Sequence, residues 1–215
     1  ESRGFDIAKL DPNVDFYCLL TYDYHSAYER SVNHHSPLFR SAEISSCNAK
    51  ANLNVDSTVA MYIDKGASKS KLVLGIPVYG RCFTLENQNY HKTGSPAVGP
   101  YDEKPCNSQS NIAYSKICKA IQNAYWETKF PEPCRLGPYA YGNNTFGNKT
   151  FWIGYDDEQM AEQKGAYVSK NHLGGVSFWA VNQDDFKGMC SSNNMTFPLI
   201  RAAYRGLESN HIPCA

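Results

Sequence analysis

Two continuous apolar stretches, at residues 16–22 and 71–77, set the narrowest limit on what this chain can fold into. Each is bounded by turn residues and lacks polar alternation, the pattern of a strand covered on both faces, which implies a parallel sheet. Between them Val55, Val59, Tyr62 and Ile63 recur at helical spacing and stop at Gly66, a residue suited to a left-handed helix end. Residues 174–180 read as a third strand. Before it, Asp157 is placed to cap a helix carrying Met160, Lys164, Tyr167 and Val168, and after it Pro198 opens a helix with Leu199, Ile200, Ala203 and Leu207 on one face. Three strand-helix units follow, interrupted from Gly80 to about Tyr155 by turns, aromatics and short segments. So long a stretch without a period reads as an inserted subdomain rather than a loop.

Parallel strands alternating with helices form either an open doubly wound sheet or a (β/α)8 barrel, and three units are too few to close a barrel of about 250 residues. In both architectures ligands bind at the carboxyl ends of the strands. Here those ends carry Tyr22, Asp23 and Tyr24, then Tyr79 and Arg81, then Trp179 and Asn182. Alternation along a strand lets Tyr79 and Arg81 face one side together. A carboxylate, a guanidinium, phenols and an indole at one mouth suit a neutral, hydroxyl-rich ligand with apolar faces, such as a carbohydrate.

Spacing alone leaves a plainer alternative open, with Tyr22, Tyr79 and Trp179 as packing residues, Asp23 as a cap and Arg81 as its ion-pair partner. His34 and His35, in an Asn/Ser/Pro loop, read as surface residues rather than metal ligands, and no metal or cofactor is expected. Asp156, Asp157 and Glu158 read as cap and first-turn carboxylates. Asp184 and Asp185 read as a polar turn.

Lys+Arg 21 balances Asp+Glu 21, so the basic footprint of a nucleic-acid binder is missing. No run reaches the length of a membrane span, and no membrane insertion is expected. The chain has eight Cys and no C-x-x-C pair, which argues against zinc ribbons and for disulfides in an oxidising compartment. Sequons at Asn143, Asn148 and Asn194 also favour a secreted, extracellular protein. Cys18, inside a strand, reads as a buried free thiol. With neither an initiating Met nor a signal segment, the chain reads as a mature product or a fragment truncated at its N-terminus.

The segments LLTYDYH, KLVLGIPVYGR, FWIGYDDE and LGGVSFWAVNQDDFKGMC, in this order, resemble glycoside hydrolase family 18, especially the secreted chitinases of arthropods and other invertebrates. The resemblance implies the C-terminal portion, about strands six to eight, of a (β/α)8 barrel with a small α+β insertion. Residues 1–79 would hold strands six and seven, 80–155 the insertion, and 156–215 helix seven, strand eight and helix eight. The N-terminal half of the barrel would be missing from this chain. Trp126, Tyr139 and Tyr141 of the insertion would help wall the cleft.

The implied function is binding and retaining, substrate-assisted hydrolysis of chitin or chitooligosaccharides, an exception to the two-carboxylate rule for glycosidases. The acetamido carbonyl of the sugar is the nucleophile in that chemistry. Tyr22 would donate to it, Asp23 would position substrate and water, Trp179 would form the floor, and Tyr79 and Arg81 would contact neighbouring sugars or support the wall. The family's acid lies in an Asp-x-x-Asp-x-Asp-x-Glu motif that this chain does not contain. The chain alone is therefore expected to be inactive, and a non-catalytic chitin-binding relative is the alternative. His172 stands where relatives often have Gly. The resemblance also pairs Cys118 with Cys190, a bridge worth about 4 kcal/mol by loop entropy.

Overall fold

The computed structural model describes residues 4–43, 50–99, 111–143, 150–190 and 193–209. A short helix α1 (Ile7–Leu10) precedes strand β1 (Tyr17–Leu19), helix α2 (Val55–Asp64) and strand β2 (Leu72–Pro77). Near the other end lie helix α4 (Glu158–Lys170), strand β9 (Gly175–Trp179) and helix α5 (Pro198–Glu208). The three strands form a parallel sheet in the order β1-β2-β9. Leu72, Leu74 and Ile76 of β2 are fully buried against Val55 and Val59 of α2, Met160 and Val168 of α4, and Leu199 and Ala202 of α5.

Helix ends follow the capping expectations. Asp157 accepts from the amide of Met160, and Pro198 opens α5. The α4 C-terminus closes with His172 in the left-handed region at φ 55, its neighbour Leu173 donating to the Val168 carbonyl at 3.0 Å. Gly66 has the expected positive φ beyond α2.

Between β2 and α4 the chain builds a second, antiparallel sheet of six strands. These are β3 (Tyr79–Leu85), β4 (Ala97–Val98), β5 (Asn111–Ala113), β6 (Glu127–Lys129), β7 (Tyr139–Asn143) and β8 (Thr150–Gly154), with helix α3 (Tyr114–Gln122) after β5. Cross-strand pairs place Arg81, Phe83, Trp152, Tyr139 and Tyr141 on one face of this sheet. Cys82, Ile153, Ala140 and Phe151 line the other and join the main core with Ile117 of α3.

Several expectations are corrected here. The first strand is Tyr17–Leu19 rather than residues 16–22, because the chain leaves the sheet at Leu20 and turns through Asp23 at φ 60. Cys18 is a free thiol but exposed, and Leu20 is exposed while Leu19 is buried. The reason is alternation on an edge strand: β1 pairs with β2 alone among the described residues, and its second face carries Cys18 and Leu20. His34 and His35 are buried, not surface residues. Asp184 and Asp185 are buried too: Asp184 accepts from the amides of Asp185 and Ile200, and Asp185 from that of Cys190. The Asp184 carboxylate thus supplies the first turn of α5 with the acceptor that its N-cap residue, Phe197, lacks.

The Cys118–Cys190 disulfide forms, with Cα atoms 5.7 Å apart, and ties α3 to the loop after β9. Cys82 and Cys134 are also disulfide-bonded. Cys47, Cys106 and Cys214 lie outside the described residues. So does Asn148, whereas Asn143 ends β7 and Asn194 is exposed.

Candidate functional site

Tyr22 and Asp23 follow β1, Tyr79 follows β2, and Trp179 ends β9, so all four stand at the carboxyl ends of parallel strands. The strand ends are shaped by what β2 omits. A Cβ on Gly75 would lie 2.3 Å from the Leu19 carbonyl and 2.8 Å from Cε1 of Tyr22, so only glycine lets the Tyr22 ring rest there. Thr21 locks the same spot by donating its hydroxyl to the Gly75 carbonyl at 2.7 Å.

Asp23 is the hub. Its Oδ1 accepts from the Tyr79 hydroxyl at 2.7 Å and from Arg81 Nε at 2.6 Å, while Oδ2 accepts from Arg81 Nη2. The fork-to-fork geometry with Arg81 fixes the carboxylate plane. The expectation that Tyr79 and Arg81 face together therefore holds, and the ion pair of the plainer alternative is present as well. Burial opposes ionisation of Asp23, but the donors on its carboxylate, Arg81 and Tyr79, work against that, and the carboxyl is held well below the usual carboxylate range. Burial, then the Asp23 charge, pushes the Tyr79 phenol up, so it stays a donor. The Tyr22 ring meets the Tyr79 ring edge-on at 6.2 Å. Its own phenol hydroxyl is absent from the hydrogen bonds around Asp23 and is pushed up by burial. Trp179 is 57% exposed, a large flat apolar surface at the end of a strand whose other residues are half-buried.

Behind the site runs a buried polar layer that the sequence did not announce. His35 is fully buried, with Nε2 3.2 Å from the Tyr79 carbonyl and Nδ1 3.4 Å from both the amide nitrogen and Oδ1 of Asp23. His34 stacks on it, bonds the Tyr155 carbonyl through Nε2 at 2.7 Å, and accepts the Ser36 amide at Nδ1. Lys164 pairs with Asp156 and donates to Ser36, whose hydroxyl donates to the Thr21 carbonyl at 2.8 Å. Burial pushes the Asp156 carboxyl up and the Lys164 ammonium down, each opposed by the other's charge. A lysine on the inward face of a capped helix, four residues short of its last apolar position, was the one available signal of that pair.

The insertion aromatics divide differently from the expectation. Tyr139 is buried and stacks on Trp152 at 5.0 Å, so it is core rather than wall. Tyr141 stacks on His91 at 4.0 Å, and Trp126 packs partly buried against the main core. Among the described residues no cluster of three His, Cys, Asp or Glu is arranged to hold a metal ion, and no helix is long and apolar enough to cross a membrane.

The family model described as glycosyl hydrolases family 18 matches residues 1–184. Chitotriosidase-1 of Mus musculus is 35% identical over 206 residues, which is 95% of this chain and 41% of that protein. The crystal structure of the Group IV chitinase of Ostrinia furnacalis superposes with a TM-score of 0.83 at 28% identity, covering 97% of this chain and 54% of that one. Human YKL-39, described as a pseudo-chitinase with retained chitooligosaccharide binding properties, gives a TM-score of 0.81 at 32% identity over 97% of this chain and 54% of that one. The chain thus spans about half or less of the length of these relatives.

Proposed function

Given that the chain belongs to glycosyl hydrolases family 18, with a fold of the TIM-barrel type, we propose that it carries the substrate-positioning side of a chitooligosaccharide site in a secreted chitinase. In this reading β1, β2 and β9 are strands six, seven and eight of the barrel. Residues 80–155 form the α+β insertion, and the remaining strands lie upstream of residue 1. The sequons at Asn143, Asn148 and Asn194 would carry glycans of the secreted form.

Tyr22 donates its phenol to the acetamido carbonyl of the sugar at the cleavage point, holding that oxygen beneath the anomeric carbon it attacks. Positioning of this kind supplies several kcal/mol of a barrier, about 7 or more in well-oriented systems. Asp23 orients the acetamide and the water that resolves the intermediate. Trp179 stacks under the sugar ring. Tyr79 and Arg81 serve the wall by holding Asp23, and what supports that role is that both already spend their donors on its carboxylate. The sequence lacks the Asp-x-x-Asp-x-Asp-x-Glu motif that carries the acid protonating the leaving oxygen, so in this reading bond cleavage belongs to the complete protein.

The observation that carries the proposal is the Asp23 hub, with Tyr22 and the exposed Trp179 on neighbouring strand ends. Its test is titration of the full 215-residue chain with chitotetraose, followed by calorimetry. Wild type is expected to bind and Trp179→Ala to lose about two- to tenfold in affinity, the scale of one stacked aromatic contact. Equal binding by both would sink the assignment, and release of product from a fluorogenic chitooligosaccharide by the purified chain would refute its inactivity. The likeness to YKL-39, a pseudo-chitinase, favours one second reading: a secreted relative that binds chitin without cutting it.

A further inference from the structure

We propose that His35 is the positioning residue of the Asp23 site, acting as a neutral imidazole whose Nδ1 accepts the Asp23 amide and whose Nε2–H donates to the Tyr79 carbonyl. One ring thereby fixes the backbones of both residues that meet in the Tyr79–Asp23 hydrogen bond. The role deepens the functional reading above, because Asp23 is the group said to orient the acetamide.

The tautomer follows from the partners. The Tyr79 carbonyl can only accept, so the proton at the 3.2 Å contact sits on Nε2. Nδ1 lies 3.4 Å from both the Asp23 amide, which donates, and Asp23 Oδ1, which accepts, and only the amide contact has hydrogen-bond geometry, so Nδ1 offers its lone pair to the amide. The contact is worth having because Asp23 adopts φ 60, a conformation that costs a non-glycine residue about 1 kcal/mol or more and needs outside support. A second bond guards the same segment, from the Tyr24 amide to the His35 carbonyl at 3.0 Å. The ring itself is held, 5.1 Å from the Tyr79 ring and stacked on His34.

The same nitrogen lies 3.4 Å from Asp23 Oδ1. When Nδ1 takes a proton from solvent it can no longer accept the amide, and it becomes a third donor to an oxygen that already takes Tyr79 and Arg81. Asp23 then trades a backbone anchor for a side-chain one. The charged and titratable groups facing His35 are Asp23 from the loop after β1, Tyr79 and Arg81 from β3, His34 beside it and Lys164 from α4. Burial first, with Lys164 and Arg81 adding to it against Asp23, lowers the imidazole below its ordinary value. The exchange is thus expected below neutrality.

Two variants separate the two nitrogens, since an asparagine amide oxygen reproduces an Nδ1 acceptor and a glutamine amide nitrogen reproduces an Nε2 donor. At pH 7 His35→Asn, which keeps the acceptor for the Asp23 amide but loses the donor to the Tyr79 carbonyl, should lose about two- to threefold in affinity for chitotetraose, and His35→Gln, which frees Asp23, about five- to tenfold, the scale of one hydrogen bond. From pH 7 to pH 5 wild-type affinity should change about fivefold or more and His35→Asn less than about twofold. Ring nitrogen shifts of His35 and the Asp23 amide resonance, read by NMR on the unliganded full chain, decide the matter independently of any sugar. A proton on Nδ1 at pH 7, or an Asp23 amide unmoved in His35→Gln, overturns the proposal. Failure of wild type to bind chitotetraose counts against the functional reading alone and leaves the resonance data to decide this one. Should one variant not fold, the wild-type tautomer and the other variant still decide.

Discussion

Asp23 and the paired histidines show what single residues contribute. His34 is buried with both ring nitrogens committed, so burial holds its imidazole well below the ordinary value, with His35 and Lys164 adding to the effect. A depressed folded value gives stability that is complete above the unfolded value near 6.5 and is lost as pH falls toward the folded one, by at most about 1.4 kcal/mol per pH unit. Urea midpoints should therefore drop between pH 7 and pH 5, and His34→Gln, which keeps the donor to Tyr155, should flatten that drop. Identical pH slopes would remove His34 as the cause. The two histidines misled the sequence reading because Asn33, Ser36 and Pro37 around them are loop formers. Nothing local reveals that the loop is pressed beneath a second sheet. Tyr79 and Arg81, by contrast, were legible as a pair because strand alternation is a local rule.

Among the elements, the parallel strands were readable because burial on both faces leaves an apolar run, as in Leu72 to Pro77. The antiparallel sheet was not. Its strands are short, several have glycine or charged residues within them, and β6 reads Glu-Thr-Lys. Such segments become strands by pairing, β6 with the neighbouring β7 and β5 with β3, which lies 30 residues back at Arg81↔Asn111, rather than by their own pattern. Helix contacts carry a similar hidden requirement. A Cβ on Gly165 of α4 would lie 2.1 Å from the Ala203 carbonyl of α5, and one on Gly206 2.0 Å from that of Glu162, backbone atoms that cannot step aside. Gly165→Ala should therefore destabilise by about 1–3 kcal/mol in urea unfolding, although alanine favours an isolated helix by about 1 kcal/mol. A gain in stability would show that α4 and α5 can separate at small cost.

On the scale of the molecule, two sheets share one core, and the Cys118–Cys190 bridge fastens the helix of one to the loop beyond the other. The bond spans 72 residues, for which loop entropy suggests about 4 kcal/mol. Replacing both cysteines by serine should lower the denaturant midpoint accordingly, and an unchanged midpoint would mean that the core alone holds the sheets together. Among the described residues the parallel sheet also has an unpaired edge at β1, with Phe16, Cys18 and Leu20 exposed beside a groove that runs along α2 to Met61. Unpaired edges of this kind template further strands.

The seat of the Tyr22 ring is made from something β2 leaves out. Glycine and alanine codons differ by one base, so a single point mutation at Gly75 would push a methyl into Cε1 of Tyr22 and the Leu19 carbonyl. Tyr22, Asp23, Tyr79, Arg81 and Trp179, the residues proposed to meet or support the sugar, would all be intact in such an allele. A survey of natural variants that scored only contact residues would therefore pass it as functional, when the ring it left in place had nowhere to lie.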